Sequence, residues 1–209
     1  MTKRFTTFFV AVVFSLFLLP AIVSAQMPDR TPEKFSTVEW TTYSRNVLHK
    51  YDPEDTELID RVRIIVTRSA NVGTSSCWFL NPPVMVVDFK LIKMFDNEDE
   101  CAAVLLHELG HIKLKQFPAI KINDYGEVES DQELLFGYER DADKFSQQKM
   151  INSGHEGCAN YIFAKKSFGQ RLNPFDPEQL VMIKRLELML ADCKESMPYV
   201  PGKPSPSPQ

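Results

Sequence analysis

The chain has 209 residues, of which 44% are hydrophobic and 25% charged, and its formal net charge at pH 7 is -4. This length and hydrophobic content suffice for one substantial core and exclude a wholly disordered chain. The mild acidity, without a basic cluster, argues against nucleic acid as a partner.

The N-terminal segment, residues 1–25, has the pattern of a secretory signal peptide. A lysine and an arginine precede an apolar stretch at 8–19, and small residues ending at Ala25 resemble a cleavage site. The alternative is an uncleaved membrane anchor, although the stretch is short for a span and ends at Pro20. We therefore expect an exported protein, periplasmic or secreted, with no membrane span after cleavage.

The rest of the chain is predicted to be a mostly helical α+β domain at 26–196, followed by a disordered Pro/Ser-rich tail at 197–209. Hydrophobic periodicity and breaking residues define its elements. In chain order we predict helices at 32–51 and 53–60, a strand at 61–67, a loop at 69–83, a strand at 84–89, a helix capped at Asn97 and stopped by Pro118, a loop at 117–129, and helices at about 130–150, 158–168 and 177–193.

The helix capped at Asn97 carries the most informative motif. Residues 101–106 are almost wholly apolar, and His107-Glu108-Leu109-Gly110-His111 follows directly. On a helix this HExxH pattern places both imidazoles on one face, one turn apart. Polar groups in an apolar helix are costly unless they are compensated, and a zinc ion would compensate them. The alternative is a buried histidine pair without a metal.

A second acidic motif follows His111 after 28 residues, where Glu139 and Asp143 are one turn apart on a helix opened by a capping box at Ser130. His107, His111 and Glu139 would leave a fourth zinc position free for water, as catalytic zinc sites do. We expect one zinc per chain, Glu108 as the general base and Asp143 as the partner of the His107 ring. The alternative for both acids is a solvated helix surface.

Residues 99–111, DECAAVLLHELGH, and residues 138–143, YERDAD, resemble the gluzincin family that contains the HtpX heat-shock proteases and the CAAX prenyl proteases. The resemblance is sharpest from Val84 to about Gly154. It implies a zincin-like metalloprotease fold in which two histidines and one glutamate bind zinc and the motif glutamate is catalytic. The family usually carries a late His-Pro followed by an arginine. Because Asn173-Pro174 stands in the comparable stretch here, no late catalytic histidine is carried over.

These features predict a zinc-dependent endopeptidase that acts on peptide or protein substrates among exported or misfolded proteins. The alternative is a catalytically weak, zinc-stabilised binding or chaperone-like module. The strand at 84–89 either offers an edge to which an extended substrate adds, or lies inside the sheet. The sequence does not predict the oligomeric state. The candidate oxyanion donors, each also explicable as a surface or packing residue, are Tyr125, Tyr138, Arg140 and His155.

All four cysteines lie after the predicted signal peptide. An even number in an exported protein predicts two disulfides, and the spacing favours Cys77 with Cys101 and Cys158 with Cys193. Zinc thiolates are one alternative, although no CxxC spacing is present, and reduced core cysteines are another.

Overall fold

The structure is a computed structural model that describes residues 26–31, 34–68, 73–116, 120–122, 128–169, 172–173 and 176–196. The predicted signal peptide and tail lie outside these residues. Among the residues described, no helix is long and apolar enough to cross a membrane.

The described residues form a mostly helical α+β fold, as predicted. The helices are α1 (Thr37–Tyr51), α2 (Thr56–Arg61, after a 3-10 turn at Pro53–Asp55), α3 (Phe89–Ile92), α4 (Glu98–Lys113), α5 (Gln132–Asn152), α6 (Ala159–Ser167) and α7 (Pro177–Ser196). The strands are β1 (Arg63–Thr67), β2 (Thr74–Cys77), β3 (Val84–Asp88), β4 (Ile120–Ile122) and β5 (Val128–Ser130).

Strands β1, β3 and β2 form a mixed sheet in that order. β1 is parallel to β3, and β2 is antiparallel to it with Thr74 opposite Val87 and Cys77 opposite Val84. β3 is therefore the interior strand, so the edge alternative for the segment at 84–89 is wrong and the interior alternative is confirmed. β2 lies at an edge of this sheet instead.

Three strands, β2, β4 and β5, occur where loops were predicted. The sequence of β2, Thr-Ser-Ser-Cys, does not alternate between apolar and polar residues, so it did not predict a strand. An edge strand that is largely half-buried does not need this alternation. β4 pairs antiparallel with β5, from Ile120 opposite Ser130 to Ile122 opposite Val128, and all of these residues except Ser130 belong to the predicted loop 117–129. Backbone pairing with a neighbouring strand therefore overrides weak local preference at both places.

Helix α1 begins at Thr37 rather than at residue 32, because the Ser36 hydroxyl caps it by accepting a hydrogen bond from the Glu39 amide at 3.2 Å. Its apolar face, including Trp40 and Leu48, is fully buried. This face packs against α4 and the sheet and forms part of the core around α4.

Helix α4 crosses the centre of the fold and packs against α1, α5, α6 and β2. As predicted, the Asn97 side chain caps it, accepting a hydrogen bond from the Glu100 amide at 2.9 Å. All residues from Glu100 to Gly110 are buried. α5 is capped in the same way by Asp131, one residue after the predicted Ser130. Both helices predicted to carry the site are therefore fixed at their starts.

One of the two predicted disulfides is present. Cys158, next to the start of α6, is bonded to Cys193 of α7, with the Cα atoms 5.1 Å apart. The predicted Cys77–Cys101 bond is wrong, because both cysteines are free. Cys101 is only 1% exposed within the core, where burial raises the pKa of its thiol, whereas Cys77 ends the edge strand β2. The alternative of a reduced core cysteine therefore describes Cys101.

We expect the double variant Cys158→Ala/Cys193→Ala to lose about 4 kcal/mol of unfolding free energy, because the bond closes a loop that spans 35 residues. Urea unfolding measures the loss, and Cys77→Ser, at a half-buried free cysteine, is the control that should change little. Alkylation of Cys158 and Cys193 in unreduced protein would contradict the bond.

Candidate metal centre

Helices α4 and α5 bring together three side chains that could hold a metal ion. His107 and His111 project from α4, and Glu139 projects from α5. The two helices approach closely at Gly110, where a Cβ atom would lie 3.3 Å from the Cα of Ala142 and 3.2 Å from Phe145 Cδ1. Glycine at this position therefore permits the helix spacing that joins the two motifs.

The distances between the donor atoms fit one zinc ion. His107 Nε2 lies 3.1 Å from His111 Nε2 and 3.3 Å from Glu139 Oε2, and His111 Nε2 lies 3.5 Å from Glu139 Oε1. Two atoms bound tetrahedrally to zinc at ordinary Zn–N and Zn–O distances are about 3.3 Å apart. The donor set and its spacing are thus those of a three-ligand zinc site with one further position.

Both imidazole rings are held at their other nitrogen. His111 Nδ1 lies 2.6 Å from Gln116 Oε1. His107 Nδ1 lies 3.0 Å from Asp143 Oδ1, although its direction departs from that of an ideal hydrogen bond. In a neutral imidazole, an N–H directed at these oxygens makes Nε2 the nitrogen that can bind a metal. The contact of Gln116, just beyond the end of α4, had no signal in the sequence.

Arg185 of α7 joins the two acidic residues of α5. Its Nη1 lies 2.5 Å from Glu139 Oε2, and its Nε and Nη2 donate to the Asp143 carboxylate at 2.8 and 2.7 Å. This bidentate geometry fixes both carboxylates. Arg185 was not predicted as a site residue from the sequence, although the late arginine of the family pattern was a signal that could have identified it.

Neighbouring charged side chains shift the pKa values of His107 and Glu139 in the metal-free protein. Burial lowers the pKa of His107, but contacts with Asp143 and Glu139 outweigh burial and raise it to about 10. Burial raises the pKa of Glu139, but His107 and Arg185 outweigh burial and lower it to about 2. A metal that binds here must therefore displace a proton from His107 at neutral pH.

Glu108 is buried beside the three ligands and is not one of them. Its Oε1 accepts a hydrogen bond from the hydroxyl of Thr74 on β2. Strand β2 therefore orients the Glu108 carboxylate, which the HExxH motif places next to the candidate metal position.

Two cavities meet at this centre, and both are lined by Thr74, Glu108 and Glu139. The first, which we call the α6 cavity, has a volume of about 240 Å³, and its other lining residues are Gly73, Leu91, Val104, His107, Asn160, Phe163, Ala164, Phe168, Met182 and Arg185. The second, the β2 cavity, has a volume of about 250 Å³, and its other lining residues are Ser75, Ser76, Cys77, Phe79, His111, Gln116, Leu135 and Tyr138.

The candidate oxyanion donors differ in their position relative to the two cavities. Tyr138 lines the β2 cavity. Arg140 is bound to Asp192 at 2.5 Å, and His155 contacts Asp99 at 3.1 Å, and neither lines either cavity. Tyr125 lies outside the described residues. Among the described candidates, the structure places Tyr138 alone at the centre.

The Gly110→Ala variant should bind zinc roughly tenfold or more weakly than the parent protein. A loss of this size is typical when groups that orient metal ligands are removed. The added methyl group must push α5 away by a few tenths of an ångström, since backbone and a ring atom already lie 3.2 to 3.3 Å from it. Competition with a zinc-binding dye measures the affinity. Gly137→Ala, on α5 with nothing within 4 Å of the added Cβ, is the matched control. Equal affinities for both variants would show that helix spacing does not set the site.

Protein purified without a metal-affinity tag should contain one zinc per chain by elemental analysis. Glu139→Ala should hold zinc more weakly but keep its fold, because Arg185 retains Asp143 as a partner. Glu187→Ala, at an exposed position of α7, is the control. A zinc content near zero in folded parent protein would contradict the zinc site.

Comparison with known proteins gives a result for one segment of the chain. No curated protein sequence matches the chain. The matching segment contains β3 and the whole HExxH helix but ends before Glu139, so the similarity does not extend to the third donor, which the sequence predicted and the structure places beside the two histidines. Residues 76–119 match the model of Peptidase family M48, and this similarity supports a zinc metallopeptidase.

Proposed function

We propose that this chain is a zinc-dependent endopeptidase that hydrolyses peptide bonds of exported or misfolded proteins. The observation that carries the proposal is the spacing of His107, His111 and Glu139, which suits one tetrahedral zinc with a further position for a reactant. The family similarity of the segment around the two histidines supports the same reaction class.

In the proposed reaction Glu108 moves the proton. A zinc ion held by His107, His111 and Glu139 would supply a Lewis acid for the substrate carbonyl and would lower the pKa of the attacking water. Glu108 removes a proton from that water and donates it to the leaving amine nitrogen, acting first as base and then as acid. The Thr74 hydroxyl holds the carboxylate in place, and Tyr138 is the side chain proposed to donate to the developing oxyanion.

Edge strand β2 is the proposed binding site for the substrate backbone. It borders the metal centre and ends the sheet on that side. An extended peptide that adds to this edge forms main-chain hydrogen bonds, which place little demand on sequence. Because cavities lie on both sides of the centre, a chain can continue in both directions, which favours endopeptidase over exopeptidase activity.

Export is proposed from two features. Residues 1–25 have the composition of a signal peptide. The Cys158–Cys193 disulfide supports an oxidising compartment, since such bonds are rare in the cytosol. The acidic run, apolar stretch and HELGH order support the HtpX and CAAX prenyl protease branch, and we propose an exported member of it with residues 26–196 as the peptidase domain.

Digestion of casein or a peptide library by the purified mature protein tests the proposal. We expect internal cleavage that stops on addition of a chelator and returns with zinc. Zinc-loaded protein that suppresses aggregation of an unfolded client without cleaving any peptide would instead support the chaperone-like alternative.

A further inference from the structure

We propose that the C-terminal tail, residues 197–209, folds back and docks through Tyr199 and Val200 in an apolar groove between α6 and α7. This groove, which we call the outer groove, shares no lining residue with the two cavities at the metal centre. Docking of the tail there does not depend on the proposed peptidase function.

The outer groove is a large, open and mostly apolar surface. Its volume is about 730 Å³, and Ile162 on its wall is 45% exposed. Further apolar side chains on its walls are only half-buried, namely Leu172, Ile183, Leu186 and Leu190. Such side chains gain free energy when another apolar group removes them from water, and a contiguous exposed patch is typical of a surface that has a partner. The groove therefore suits an apolar chain segment.

The two helices that form the groove run in opposite directions. The disulfide joins Cys158, next to the start of α6, to Cys193 in the last turn of α7. Just after the other end of α6, a Cβ atom on Gly169 would lie 3.7 Å from Leu186 Cδ1, farther back along α7. The end of α7 is therefore beside the start of α6.

The tail consequently leaves α7 next to one end of the outer groove. Tyr161 and Leu190, each about one turn from a bonded cysteine, form that end. A chain in the polyproline conformation rises about 3.1 Å per residue, so Tyr199 and Val200 reach roughly 9 to 12 Å beyond Ser196. This matches the distance of roughly 9 Å along α7 from Ser196 back to Leu190.

The first residues of the tail have the composition of a docking segment. Tyr199 and Val200 stand between Pro198 and Pro201, whereas residues 202–209 contain no apolar side chain other than proline. Proline stiffens an extended chain and lowers the entropy lost on docking, and Pro-rich segments bind grooves that carry aromatic side chains, as this one does. The disorder predicted for the whole tail is then expected only beyond Pro201.

Attachment to α7 favours the tail over a second copy of the chain as the occupant. A segment tethered by a few residues has an effective concentration on the order of millimolar at its binding site. A free copy reaches that concentration only in very concentrated protein solutions. The tail is therefore the occupant that we expect in dilute solution.

A photoreactive p-benzoylphenylalanine in place of Tyr199 tests the docking in the mature protein. Irradiation should give cross-links within one chain to residues of α6 and α7 on the groove walls, located by mass spectrometry. The same group in place of Ser207, beyond the docking segment, is the control and should give no preference for the groove. Cross-links between two chains, seen as a dimer on a denaturing gel, or cross-links within one chain away from the groove would overturn the assignment.

Hydrogen exchange of the amides at 161–169 gives a measurement without a label. The tail variant Tyr199→Ala/Val200→Ala should speed this exchange roughly tenfold or more, because burial of a large side chain stabilises the closed state by enough for such a change. Ser205→Ala/Ser207→Ala is the matched control and should exchange as the parent does. Equal exchange in the parent and the tail variant would refute the docking.

Variants of the groove wall test whether the tail acts at this surface. In an Ile162→Asp background, which places a charge on the wall, the tail variant should change the exchange little. In a Val38→Asp background, at a 74% exposed position of α1, it should keep its full effect. A full effect in both backgrounds would show that the tail binds elsewhere.

Discussion

The Glu108→Gln variant is expected to lose at least about a hundredfold in peptidase kcat/KM while keeping its zinc, the loss typical of a removed general base. The amide keeps the shape of the side chain and its contact with Thr74 but cannot accept the proton of the attacking water. Peptide cleavage and elemental analysis of the same sample measure the two quantities.

Glu133→Gln, in the exposed first turn of α5, is the control for the loss of one carboxylate and should retain parental activity. If the Glu108→Gln variant stays within about tenfold of the parent, another group performs the proton transfer, since a positioned base contributes more than that.

Replacing Arg185 with Met should cost about 3 to 5 kcal/mol of unfolding free energy in the metal-free protein, because Glu139 and Asp143 lose a buried counter-ion. Zinc restores positive charge beside Glu139, so the same variant should lose less stability when zinc is bound. Urea unfolding with and without chelator measures both differences.

Arg185→Lys and Arg140→Met are the controls for this experiment. Lys keeps the charge without the bidentate geometry and should lose less than Met. Arg140→Met breaks the contact with Asp192 between the same two helices, and its effect should not depend on zinc. An equal loss for Arg185→Met with and without zinc would mean that Arg185 serves only to dock α7.

The parts of the fold that depend on local signals could be predicted from the sequence. The capping residue Asn97, the apolar run after it and the one-turn spacing of His107 and His111 all act within α4. Strand order could not be predicted, because β1 pairs with β3 rather than with the next strand along the chain, and the composition of β2 carries no strand signal. For the same reason the sequence left the edge and interior roles open for the strand at 84–89, which the sheet places in its interior.

Around the candidate site, too, local patterns could be predicted from the sequence and contacts between separate segments could not. Glu139 could be proposed because ExxxD is a local pattern, whereas the contact of Gln116 with His111 depends on how the chain turns after α4. The second cysteine pair could be predicted from neighbouring helices. The first could not form because Cys101 points into the core.

The bond between Cys158 and Cys193 has a consequence for a protein proposed to cut peptide chains, its own copies included. α7 supplies Arg185 and is packed against α5 and α6. A peptide-bond cut anywhere between α6 and α7 would leave the C-terminal fragment covalently attached through the disulfide. Such a nicked molecule would keep Arg185 near Glu139, and its two fragments would separate on a gel only after reduction.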